Sequence, residues 1–340
     1  MTPAPTKVFL QRDVPPSLVR AELDAFLSAN LGVEVSAASD DPAATAAALA
    51  AADVVITDLR LPAARQDCPN LRWIQLVSAG ANQVGGTWIE DSAVAVTTAS
   101  GLHGVPIAQF VTGGLLALVH RFPDFAAAQA RRRWPEDRWA LRAGILRGAT
   151  AGVIGYGSIG RECARQLHAL GLRILALDPA ERVDRGYTAW PGTGDPGGTL
   201  PERWFQPSGL REMLPLCDVV VVAAPYTRHT AGMIGVEELA LLRPGARLIV
   251  VSRGGIVQEP ALAAALRDGR LAGAVVDCFV QEPPPSDHPF YDVPNLIMTP
   301  HLAGAYEGFW AAFFDLFAAN LRRFHGGEPL LNQANKRLGY

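Results

Sequence analysis

Residues 151–160 read AGVIGYGSIG, and no other stretch limits the possible folds of this chain so tightly. Ala151–Ile154 is a short apolar run of the strand type, and the segment 160–170 carries apolar residues at helical spacing. Between them stand Gly155, Gly157 and Gly160 in a G-x-G-x-x-G pattern. Such glycines are a weak signal alone; flanked by a strand and a helix, each has a physical use. Gly155 permits a tight turn, Gly157 lets the backbone approach a pyrophosphate, and Gly160 lets helix and strand pack closely. The amides of Ser158 and Ile159 then point at phosphate from a helix N-terminus. The following strand, 172–177, ends at Asp178, eighteen residues after Gly160. A carboxylate there accepts hydrogen bonds from ribose hydroxyls and repels a 2′-phosphate, so NAD is expected over NADP. Arg182, close by, works against that preference.

The rest of the chain extends this pattern. Strands are expected at 151–154, 172–177, 219–223, 246–251, 273–277 and 296–299, with helices at 160–170, 232–242 and 259–268. Six such steps make a doubly wound parallel sheet. Most of the Gly- and Pro-rich stretch 184–209 reads as a surface loop. Earlier, strands at Val8–Leu10, Val54–Thr57 and Leu71–Val77 alternate with helices at Ser17–Ala29 and Ala43–Ala52, which implies a second parallel sheet. A long helix near 106–120 leads from one alternation to the other. A last helix, 307–325, follows the completed second sheet and is expected to fold back onto the first domain. At 340 residues the chain has room for two domains. The expected class is α/β, with two Rossmann-like doubly wound domains.

Composition narrows the function classes. Apolar residues are 49% and charged residues 19%, enough to bury a large core. The net charge of −3 gives no basic surface for nucleic acid or an acidic membrane. The basic run Arg131–Arg133 is followed by Glu136 and Asp137 and reads as a solvated helix end. Cys68, Cys163, Cys217 and Cys278 are far apart and form no C-x-x-C, so neither disulfides nor a metal site are expected. Reduced thiols, with no apolar leader in MTPAPTKVFL, suggest a cytoplasmic protein. Val105–Val119 is too short for a membrane span.

Three segments bring polar groups to the ends of strands. Residues 248–257 read LIVVSRGGIV and deliver Arg253; 273–283 read GAVVDCFVQEP and deliver Asp277 and Glu282; 295–304 read NLIMTPHLAG and deliver His301. Alone, each has an ordinary explanation: a surface arginine, a solvated glutamate, a capped histidine. Together they lie at the edge where open α/β sheets bind ligands, beside a dinucleotide fingerprint. A nicotinamide carries hydride, and reduction of a ketone also needs a proton donor. His301 suits that task, and Glu282 beside it would favour the imidazolium. Arg253 can polarise a carbonyl and grip a neighbouring carboxylate with its planar fork. A carboxylate next to a ketone is a 2-oxo acid. Its second anchor is expected at backbone amides of Ser78, Ala79 and Gly80, in the loop 78–82.

With these residues on the page, the chain resembles the D-isomer-specific 2-hydroxyacid dehydrogenases. The likeness rests on VSAGANQV (77–84), GVIGYGSIG (152–160), VVVVAAPYTRHTAGMIG (219–235), VVSRGGIV (250–257), GAVVDCFVQEPP (273–284), PNLIMTPHLAG (294–304) and NLRRFHGGEPLLN (320–332). It implies a flavodoxin-like substrate domain, 1–103 and 302–340, into which an NAD-binding domain, 104–301, is inserted. The catalytic Arg, Glu and His fall on Arg253, Glu282 and His301. Asp277 matches an acid near the nicotinamide carboxamide, and Pro225 and Thr230 a loop over the adenine. With Val251, Ser252 and Gly304, and with Arg253 and His301 themselves, these join the glycine motif and Asp178 in the expected cofactor set. The resemblance also implies a homodimer joined through the NAD domain. Val250, Asn82 and Gln109 depart from the usual Asn, Asp and Glu. Formate dehydrogenases of the superfamily carry Gln where Glu282 stands, so Glu282 favours keto-acid chemistry. An NADPH-preferring glyoxylate or hydroxypyruvate reductase, or an NAD-sensing regulatory protein of the same family, are the alternatives. The aromatic group Tyr306, Phe309, Trp310 and Phe313 reads as core packing of the last helix, the alternative being a side-chain pocket lined by Tyr306 or Trp310 that would admit larger or aromatic 2-oxo acids.

Overall fold

A computed structural model describes residues 5–14, 16–17, 19–30, 32–179 and 186–340. The chain packs as two compact units: residues 1–102, 186–191 and 306–340 form one, and 103–185 and 192–305 the other. The short segment 186–191 belongs with the first unit although sequence places it inside the second. Arg182 lies outside the described residues.

The first unit contains strands β1 (Thr6–Leu10), β2 (Val33–Ala37), β3 (Val54–Thr57), β4 (Trp73–Leu76) and β5 (Ala95–Thr97), with helices α1 (Arg20–Ala29) and α2 (Pro42–Ala51). All neighbours pair in parallel, in the order β2-β1-β3-β4-β5. This is the flavodoxin-like doubly wound order. Sequence reading passed over β2 and β5. β2 reads VEVSA, with no fully buried residue, as suits the sheet's edge. β5 is only three residues long.

The second unit holds β6 (Thr150–Ile154), β7 (Arg173–Leu177), β8 (Pro201–Phe205), β9 (Val219–Val222), β10 (Ala246–Val250), β11 (Leu271–Val276) and β12 (Leu296–Met298). Its helices are α3 (Gly104–Val119), α4 (Phe122–Ala130), α5 (Ser158–Ala169), α6 (Leu210–Met213), α7 (Val236–Leu241) and α8 (Glu259–Arg267). The strands run parallel in the order β12-β11-β10-β9-β6-β7-β8. The expected loop 184–209 is thus corrected: its last part, PERWF, is the edge strand β8, paired to β7. Pro201 is tolerated because an edge strand leaves one set of N–H groups unpaired. Runs such as VVVV in β9 are buried on both faces, as a covered parallel sheet requires.

The last helix, α9 (Phe309–Gly326), returns to the first unit. Phe313, Phe314 and Phe317 are buried there; Phe314 meets Phe26 at 5.4 Å and Phe317 stacks on Trp73 at 5.0 Å. Phe309 and Trp310 pack against the same core, so this aromatic group is the seam between α9 and its sheet. Gly327, at φ +66°, ends the helix in the left-handed conformation that glycine adopts without penalty. Among the described residues, no single helix is long and apolar enough to cross a membrane.

Candidate active site

Strand register builds the site. Ile154, Val222, Val250, Val276 and Met298 pair in one row across β6, β9, β10, β11 and β12. The residues that follow each of them therefore emerge side by side at the carboxyl edge of the sheet. β6 and β9, where the strand order reverses, mark the crevice in which such sheets hold nucleotides.

The glycine motif opens at that point. Gly155 has φ +88°, and a Cβ on it would stand 2.5 Å from the Ala224 nitrogen, so only glycine fits. A Cβ on Gly160 would stand 2.0 Å from the Gly155 oxygen. Around Gly157, by contrast, a Cβ would meet nothing within 4 Å. Two glycines are thus demanded by packing and one borders open space, as a surface kept clear for a phosphate requires. The first helical bond of α5 runs from Arg161 N–H to Gly157 O, which places the positive end of the helix, with Ser158 and Ile159, at that space. Asp178, just past β7, accepts the Tyr156 N–H at 2.6 Å through Oδ2 and so sits against the motif. These residues fit a dinucleotide.

A feature that sequence reading missed braces the motif from behind. The Tyr156 hydroxyl donates to Asp195 Oδ2 at 2.9 Å, and the Arg161 guanidinium lies 5.0 Å over the Tyr156 ring while donating to Asp195 O at 2.6 Å. Burial works to raise the Asp195 carboxyl; N–H groups of Leu200 and Thr199 and the Tyr156 hydroxyl outweigh it and hold it below its usual range. Burial, then the neighbouring Asp195, pushes the Tyr156 phenol far up. No local signal in the sequence joins Tyr156 to Asp195.

At the adjoining strand ends, Val251 and Ser252 are buried and Ser252 Oγ has no partner among the described residues. Arg253 follows, its Nη1 donating to Ser252 O at 2.9 Å. Asp277, 3% exposed, accepts from Thr299 Oγ1 at 2.6 Å and Leu302 N at 3.0 Å on one oxygen and from Ala303 N at 2.9 Å on the other. It therefore grips the chain on both sides of His301. His301 itself has φ +54°, a conformation that costs a non-glycine residue energy and persists only where its surroundings enforce it. Its Nδ1 lies 2.8 Å from Glu282 Oε2, while Glu282 Oε1 accepts the Phe279 N–H at 2.8 Å. The pair is partly open to solvent, with side chains 41% and 36% exposed. Pro225 and Thr230 belong to a self-closed loop in which Thr230 Oγ1 donates to Pro225 O at 2.7 Å. Gly304 O lies 3.2 Å from His103 Nδ1.

In the first unit, the loop after β4 is shaped by Ser78 Oγ, which donates to Gly80 O at 2.9 Å, and by Gln83 Nε2, which donates to Ser78 Oγ at 3.0 Å. Ala81 N–H donates to Gly339 O at 2.8 Å, a brace from the chain's last residues that the sequence did not announce. The N–H groups of Ala79 and Gly80 find no acceptor among the described residues. Among those residues, too, no three His, Cys, Asp or Glu side chains gather as a metal site.

Comparison with known proteins settles the family. Residues 112–303 match the model of the D-isomer specific 2-hydroxyacid dehydrogenase NAD binding domain. The chain belongs to the D-isomer specific 2-hydroxyacid dehydrogenases. It is 35% identical over 236 residues to the (S)-sulfolactate dehydrogenase of Chromohalobacter salexigens, covering 69% of this chain and 72% of that one. It is 30% identical over 272 residues to the glyoxylate reductase of Thermofilum pendens, covering 79% and 76%. A D-isomer specific 2-hydroxyacid dehydrogenase from Xanthobacter autotrophicus, solved with NADPH and MES, superimposes with a TM-score of 0.80 at 27% identity over 99% of this chain and 100% of that one. Both the family and the α/β class with Rossmann-type domains thus stand as expected from sequence. For this dehydrogenase family member, the second unit is the nucleotide-binding one.

Proposed function

We propose that this chain is an NAD(H)-dependent 2-hydroxyacid dehydrogenase that acts chiefly as a 2-oxo acid reductase. The observation that carries the reading is the His301–Glu282 contact of 2.8 Å at the strand edge that also presents Arg253. When bound, a nicotinamide cofactor supplies the hydride; the residues of this chain supply the proton and the grip. With Nδ1 committed to the Glu282 carboxylate, Nε2 of His301 is the atom left to carry the exchangeable proton. A protonated ring is the form that donates to a ketone oxygen. Arg253 polarises that oxygen and pairs with the substrate carboxylate. Within the first unit, the N–H groups of Ala79 and Gly80 have no acceptor among the described residues, an arrangement that suits a carboxylate.

Asp178 supports NADH, since its carboxylate, anchored on the Tyr156 N–H, stands where a 2′-phosphate would be repelled. The NADPH carried by the Xanthobacter relative supports the second reading, an NADPH-linked reductase. A homodimer joined through the nucleotide-binding unit would cover Trp134, Trp139 and Ile145, which are 78%, 73% and 87% exposed.

The deciding experiment follows NADH and NADPH oxidation by absorbance with glyoxylate, hydroxypyruvate, pyruvate, phenylpyruvate and 3-sulfopyruvate, with His301→Ala alongside. Turnover that disappears in the variant establishes the reading and ranks the substrates. Cofactor binding without turnover of any 2-oxo acid removes it in favour of a regulatory protein.

A further inference from the structure

Glu259 is the first residue of α8 and belongs to none of the groups assigned above. Its side chain is 15% exposed and both carboxylate oxygens are used. Oε1 accepts the Val280 N–H at 2.8 Å, and Oε2 faces His288 Nε2 at 3.2 Å. His288, 11% exposed, accepts the Phe290 N–H on Nδ1 at 3.3 Å. A neutral ring that accepts on Nδ1 carries its proton on Nε2, so it satisfies Phe290 and donates to Glu259 at once. Edge contacts with Phe279 at 6.2 Å and Phe290 at 5.0 Å hold the ring.

Val280 and His288 bracket the turn that carries Glu282. One carboxylate therefore ties both ends of that turn to α8. The Arg253 loop is bound to the same turn by direct backbone packing: a Cβ on Gly254 would stand 2.0 Å from Phe279 C and 2.4 Å from Val280 N. Arg253, Gly254, Glu259, Cys278 and Phe290 line one small cavity.

We propose that Glu259 is a positioning residue, setting the placement of Glu282, and through it His301, relative to Arg253. The inference rests on the reading of the His301–Glu282 pair as acid–base machinery. A displacement of about 1 Å in such a group costs on the order of a hundredfold in rate. Glu259→Ala releases the turn, so kcat for 2-oxo acid reduction is expected to fall about tenfold to a hundredfold. The NADH Kd stays unchanged, because Glu259 bonds to Val280 and His288, neither of which belongs to the expected cofactor set. Glu259→Gln keeps an oxygen for Val280 but turns an amide N–H toward His288, so its kcat falls between the two.

The test measures kcat, KM and NADH Kd for the wild type and these variants, with His301→Ala in parallel. Wild-type kcat and KM in Glu259→Ala overturn the proposal. An equal loss of kcat and NADH affinity also overturns it, because that pattern marks a general structural role. If the Ala variant does not fold, Glu259→Asp carries the test: one methylene short, it cannot reach both partners, and an unchanged kcat there overturns the proposal. If His301→Ala keeps wild-type turnover, the acid–base reading falls and takes this inference with it. Loss in His301→Ala beside unaltered Glu259→Ala leaves that reading intact and removes this one alone.

Discussion

His301 meets Glu282 at 2.8 Å from a backbone held at φ +54°. A left-handed histidine costs about 1 kcal/mol or more, and a fold tolerates it where the side chain must point in one direction. His301→Ala is expected to lower kcat on the order of a hundredfold or more, the usual contribution of a general acid, with NADH binding retained. Glu282→Gln should lose less, since its amide oxygen still accepts from Nδ1 and keeps the ring in place. Steady-state kinetics on both variants check the order; a Glu282→Gln loss larger than that of His301→Ala would contradict the assigned roles.

Asp277 is the reason that backbone is held. Its two oxygens take Thr299 Oγ1, Leu302 N and Ala303 N, which flank His301 on both sides. Asn at this buried position turns an N–H toward one of those donors, at a cost of about 1–3 kcal/mol. Asp277→Asn is therefore expected to lower Tm and to lower kcat about tenfold or more through misplacement of His301. A variant with reduced Tm and wild-type kcat would limit Asp277 to stability.

What the sequence displays of this candidate site, and what it hides, has a physical basis. Arg253, Glu282 and His301 were legible because each follows an apolar run, and parallel register brings the ends of such runs to one edge. Gly155 and Gly160 were legible because backbone geometry demands glycine. The strand PERWF was not, because an edge strand needs only one apolar face and tolerates Pro201. The bonds from Glu259 to Val280 and from Tyr156 to Asp195 join residues 21 and 39 positions apart. Neither has a local pattern, so only the packed chain displays them.

The glycine motif offers a contrast within one loop. Gly157→Ala meets no atom within 4 Å and is expected to fold with wild-type Tm. Its methyl occupies the space a pyrophosphate needs, so NADH affinity should fall about tenfold or more. Gly160→Ala drives a methyl to 2.0 Å from the Gly155 oxygen and is expected to cost about 1–3 kcal/mol as overpacking. Thermal melts with cofactor titration separate the two; equal Tm losses in both variants would refute the assignment of open space to Gly157.

The four cysteines make a final prediction about the folded state as a whole. Cys68, Cys163, Cys217 and Cys278 are all buried. Burial pushes Cys217 and Cys278 up to about 12, and raises Cys68 and Cys163 as well. An unfolded thiol ionises near about 8.5, so the folded state keeps protons that the unfolded state releases. Below about 8.5 both states are protonated and stability is unaffected; as pH rises from there toward 12 the unfolded state gains, by about 1.4 kcal/mol per pH unit for each fully shifted thiol. Tm is therefore expected to drop steadily above that pH. At pH 8 an aromatic disulfide reagent should label none of the four thiols in the native protein and all four after denaturation. Rapid labelling of any native thiol would show that its segment opens far more readily than its burial implies.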